Sequence, residues 1–136
     1  LSPNDVEMAA RAASAEYFAN NDNQAAGVLT ALAARHPQEG APWEELGKLQ
    51  LAAEDLDTAR SYFEEALAVN PADENALYNL AFIHAHQGNY DDALRRTREL
   101  HYYFPWKPAG SVPDFTTAPG MDTVRFPAIM AEPFTP

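Results

Sequence analysis

The chain has 136 residues, with 9 Lys and Arg against 20 Asp and Glu, a net charge of -11, 46% hydrophobic residues, eleven prolines and no cysteine. That length describes one domain, or one domain with an arm, able to bury a core of its own, while the missing thiols exclude disulfides, thiolate nucleophiles, CxxC redox chemistry and Cys-ligated zinc. A pI near 4.5 repels a phosphate backbone or an anionic membrane surface, so nucleic acid is not an expected partner. No stretch approaches the roughly 18 continuous apolar residues of a membrane span, so direct membrane insertion is not expected either.

Taken in chain order, apolar spacing and helix breakers predict helices over about 3–19, 23–35, 41–53, 57–69, 73–87 and 90–103. No segment alternates as a strand would. Ser2-Pro3 and Ala41-Pro42 suit helix starts, because a proline in the first turn lacks only an N–H that would have had no partner. The chain begins at Leu1 rather than Met, which reads as a processed or trimmed form, and no basic run ahead of an apolar stretch suggests a signal peptide. The compartment, cytoplasmic or periplasmic, is left open.

Pro37, Pro71 and Pro105 stand 34 residues apart, each directly after a helical stretch. Aligned on them, segments 4–37, 38–71 and 72–105 each read as two amphipathic helices around a polar break: Asn20 to Asn23, Glu54-Asp55, and Gln87-Gly88-Asn89. The middle segment carries Trp43, Leu46, Gly47, Ala59, Phe63, Ala66 and Pro71 at fixed offsets. This pattern resembles the tetratricopeptide repeat. The third segment matches through Leu77, Leu80, Ala81, Gly88, Tyr90, Ala93, Leu100 and Pro105, with His84 and Thr97 where aromatics are usual. The first matches through Ala9, Ala12, Ala13, Ala25, Leu29, Leu32 and Pro37. The implied fold is a soluble all-α solenoid of three helical hairpins over 1–105, followed by an extended Pro-rich arm over 106–136. Small residues at Gly47, Ala59 and Ala66 let helices approach closely, and a branched side chain at Gly47 should overpack the crossing. Glu16, Gln50 and His84 share the place where the family has Tyr; they form either a polar seam or, the reading preferred here, separate contacts with solvent.

Residues 106–136 hold six prolines and five charges, together with Trp106, Phe115, Phe126, Ile129 and Phe134. Such a segment resists helix formation yet is too apolar for a solvated tail. It is expected to cover an apolar flank left by the last helix, at Leu94, Tyr103 and Phe104, or to contact a partner.

No constellation points to catalysis. His84 and His86 diverge by about 200° on a helix, so a metal role is not expected; half-burial of His84 and a groove-side His86 are. His36 and His101 sit in last turns, where a cation suits the helix dipole. The pairs Glu44-Glu45, Glu64-Glu65 and Asp91-Asp92 read as solvated faces and first-turn charges. Neither a G-x-S-x-G elbow nor a phosphate-cradling glycine loop occurs, so neither enzyme activity nor a cofactor is expected.

The resemblance implies a concave surface lined by the first helix of each pair, with Glu44, Lys48 and Leu51 from the second repeat and Asn75, Tyr78, Asn79, Phe82 and His86 from the third. The places corresponding to a carboxylate clamp are Ala10, Ser14, Glu45, Asn75 and Asn79, which lack the necessary cations. The expected function is therefore protein recognition, as a scaffold or accessory subunit of a larger complex, with an assembly or secretion chaperone as the alternative. The expected partner is another protein that is basic or presents an extended segment.

Overall fold

The computed structural model describes residues 2–20 and 23–106. It contains six α-helices: α1 (Pro3–Asn20), α2 (Ala25–Arg35), α3 (Ala41–Ala52), α4 (Leu56–Val69), α5 (Glu74–His86) and α6 (Tyr90–Tyr103). Among the described residues there is no strand. This is an all-α helical repeat, and the helix boundaries fall within about two residues of those expected from sequence.

Local chemistry explains the boundaries. At the start of α1 the Ser2 hydroxyl accepts from the Asp5 N–H at 3.3 Å, while the Ser2 N–H donates back to the Asp5 carboxylate at 3.2 Å. This is a reciprocal cap with Asp in the place usually taken by Glu. Asp55 caps α4, its carboxylate accepting from the Thr58 N–H at 3.2 Å and the Thr58 hydroxyl at 2.8 Å.

The three period-defining prolines end three helices in one way. The residues preceding them, His36, Asn70 and Phe104, have φ of -128°, -140° and -129°, and their N–H groups donate to Leu32, Ala66 and Leu100. Each is kept out of the helical region by the proline that follows. The other hairpin turns close differently. After α5, Gly88 at φ 78° lets its own N–H reach the Ala85 carbonyl and the Asn89 N–H reach that of His84. After α3, Glu54 at φ 62° takes the same place, with its N–H on Leu51 and that of Asp55 on Gln50. Both are Schellman closures, one with the customary glycine and one without.

The chain divides into two compact units, Leu1–Asp73 and Glu74–Pro136. In the first, α1 packs on α2 and α3, α2 on α3, and α3 on α4. Its core holds Val6, Ala10, Leu29, Leu46, Leu49 and Phe63, all buried. A Cβ added to Gly47 would lie 2.7 Å from the Phe63 ring, so the missing side chain is what admits that ring between α3 and α4. Trp43 and Tyr62 stack beside this crossing with ring centroids 5.9 Å apart.

In the second unit α5 packs on α6, and Leu77, Leu80, Ala81 and Ile83 are buried, as are Ala93, Leu94 and Leu100. Ala81 and Thr97 occupy the register places of Gly47 and Phe63. A larger residue on the first helix thus goes with a smaller one on the second. The Thr97 hydroxyl, though buried, donates to the Ala93 carbonyl at 3.0 Å, which satisfies it without a partner on another helix.

The apolar flank expected on α6 is only partly covered. Leu94 is buried, Tyr103 and Phe104 are half-buried, and the same helix carries the ion pairs Arg95–Asp92 and Arg96–Glu99. His84 also departs from expectation: it is buried rather than half-buried or open to solvent. Of its register partners, Gln50 is half-buried and Glu16 is exposed, accepting from the Asn20 side chain at 2.9 Å.

Candidate recognition surface on the first helices

The residues expected to line a binding surface divide between α3 and α5. On α3, Glu44, Lys48 and Leu51 are all partly exposed. Lys48 does not offer an unopposed charge, because its Nζ lies 3.1 Å from Oε1 of Glu45. Glu45 is itself buried, with its side chain 5% exposed, so the expectation of a solvated face is corrected for this residue. An isolated buried carboxylate carries a large desolvation penalty, and the lysine one turn later supplies the compensating cation. By contrast, Glu64 and Glu65 are exposed on α4, as is Asp92 on α6.

On α5 the buried positions 76, 77, 80, 81, 83 and 84 leave the opposite side open. Asn75, Tyr78, Phe82 and His86 lie there, all exposed, with Asn79 half-buried among them. Tyr78 retains 44% and Phe82 41% of its accessible surface. His86 lies against Phe82 with ring centroids 4.2 Å apart and a 56° tilt. The spacing of four residues brings these rings onto successive turns of one face. Asn79 is less available than expected: its Nδ2 donates to the Asn75 carbonyl at 2.8 Å, which occupies one of its two N–H donors.

His84 and His86 part company, one buried and one exposed. Among the described residues, no three His, Asp or Glu side chains are grouped so that they could hold a metal ion. Trp106 is 74% exposed, its ring 5.8 Å from that of Phe104. The other expected arm contacts, Phe115, Phe126, Ile129 and Phe134, lie outside the described residues. No helix among the described residues is long and apolar enough to cross a membrane.

Sequence reading did not anticipate the burial of Glu45 or its pairing with Lys48. The spacing of three was a usable signal, since Glu and Lys one turn apart on a helix are within reach of each other.

Residues 50–102 match the family model of the tetratricopeptide repeat. Over that stretch the chain is similar to the tetratricopeptide repeat. The match runs from the last turn of α3 through α4 and α5 to the end of α6, and so includes the whole Asn75 to His86 face. No curated protein matches the chain. Tetratricopeptide repeats are protein–protein interaction modules, and that role accords with a helix presenting two large aromatic side chains to solvent.

Proposed function

We propose that this chain works as a scaffold or accessory subunit of a larger protein assembly and that α5 supplies its anchor for a partner. The observation that carries this reading is the exposure of Tyr78 and Phe82 on one face of a helix whose other face is fully packed. Exposed aromatics on a rigid element give large contact area at low entropic cost, and such residues dominate binding energy at interfaces. On the same helix Asn75, Asn79 and His86 would then shape the surroundings.

Charge divides the work. Residues 1–73 hold four Lys and Arg against thirteen Asp and Glu, whereas residues 74–136 hold five against seven. Steering of a basic partner therefore comes from the first unit, and apolar anchoring from the second.

The test is selection of peptides from a random display library on the full chain, followed by affinity measurement with the Tyr78→Ala/Phe82→Ala variant. Binding should weaken by at least about fivefold, equivalent to about 1 kcal/mol, with an unchanged far-UV circular dichroism spectrum. Equal affinity in the folded variant would remove α5 from the site. Complexes lasting minutes fit a subunit, whereas rapid exchange with many unrelated sequences would favour the chaperone role.

A further inference from the structure

In the unit Glu74–Pro136, the exposed large hydrophobic residues among those described are Tyr78 and Phe82 on α5 and Tyr102 and Trp106 at the end of α6. Helices α5 and α6 pack together and are joined only by Gln87-Gly88-Asn89, so they run antiparallel. The chain therefore leaves α6, through Pro105 and Trp106, at the end of the hairpin where α5 begins.

Thirty residues follow Trp106. The first thirteen, 107–119, include Pro108, Pro113, Phe115 and Pro119. Segments rich in proline favour an extended left-handed helix without internal hydrogen bonds, and surfaces that recognise them present exposed aromatic rings. The α5 face presents Tyr78, Phe82 and His86 at intervals of four residues. From Tyr78 to His86 it spans about 12 Å, which about four residues of such a segment would cover. Reaching His86 from the start of α5 takes about 18 Å, or about six residues. Residues 107–119 are long enough for this with slack, and a short tether sets an effective concentration on the order of millimolar.

The geometry points to residues 107–119 of the same chain as the resident occupant of the Tyr78, Phe82 and His86 face, with partners that carry a proline-rich extended segment competing for that face. This inference rests on α5 being a binding face, as proposed above.

The experiment uses the full chain and its Pro113→Ala/Phe115→Ala variant, whose substitutions lie outside all six helices. In two-dimensional NMR spectra at low protein concentration, signals of Tyr78, Phe82 and His86 should differ between the two proteins while those of the α2 and α4 cores coincide. A synthetic peptide of residues 107–119 should restore the shifts saturably when added to the variant. It should bind the unaltered chain at least about fivefold more weakly, because the tethered copy already occupies the face. Coincident α5 signals, a peptide that does not bind the variant, or differences that scale with protein concentration would overturn the proposal; the last would assign the face to a second copy. If library-selected peptides still depend on Tyr78 and Phe82 in any of those cases, only the occupant is wrong. If they do not, the binding face itself falls.

Discussion

A methyl group at position 47 would sit 2.7 Å from the buried Phe63 ring. Phe63 is enclosed and has nowhere to swing, so Gly47→Ala should cost about 1–3 kcal/mol through overpacking. Thermal unfolding of Gly47→Ala, Phe63→Leu and the double variant would show it, the double variant losing less than the sum of the two singles. At the amino terminus, the Ser2 hydroxyl, followed by the Ser2 backbone N–H, holds the Asp5 carboxyl below its ordinary pKa. A carboxyl depressed in the folded state stabilises above its unfolded pKa and loses that contribution as pH falls through its folded value. The Val6 N–H, which donates to the Ser2 carbonyl at 3.0 Å, should then become less protected from hydrogen exchange, relative to the other α1 amides, as pH falls through that range. Asp5→Asn should remove the pH dependence.

Helix ends show how one turn geometry tolerates different residues. Glu54 and Gly88 lie 34 residues apart and close α3 and α5 with the same hydrogen bonds and φ of 62° and 78°. A left-handed residue with a Cβ costs about 1–2 kcal/mol relative to glycine in that conformation, partly offset by glycine's freedom in the unfolded chain. Glu54→Gly is therefore expected to stabilise by up to about 1 kcal/mol, and Gly88→Ala to destabilise by a similar amount. Denaturant midpoints that move in the opposite directions would contradict this account. Helix α5 differs from α3 in what it leaves outside: both bury one face, but α3 draws Glu45 into the packed side and holds it there with Lys48, whereas α5 leaves Tyr78 and Phe82 in water.

Across the molecule, acid is concentrated before position 74, and the ion pairs Arg11–Glu7, Lys48–Glu45, Arg60–Asp57, Arg95–Asp92 and Arg96–Glu99 each lie within one helix. Such pairs stabilise helices by tenths of a kcal/mol and leave the long-range field of the first unit largely intact. For a basic peptide selected on the full chain, the association rate should fall several-fold between about 20 and 300 mM salt, while the dissociation rate changes less. A salt-independent association rate, measured by stopped flow, would show that steering is absent.

The spacing of Pro37, Pro71 and Pro105, the Trp43 to Pro71 pattern and the apolar periodicity were enough to read six helices in hairpin register from the residues alone. Helix boundaries follow from local chemistry, a proline's forbidden conformation or a capping side chain, so they are legible in a few adjacent residues. Burial is not local. Glu45 and Glu64 look alike in sequence, yet one is enclosed and the other exposed. Leu94 read as an uncovered flank and is packed, whereas Phe82, as apolar in sequence, is left exposed. The repeat is written in short-range signals, whereas the face it leaves open depends on contacts between segments far apart in the chain.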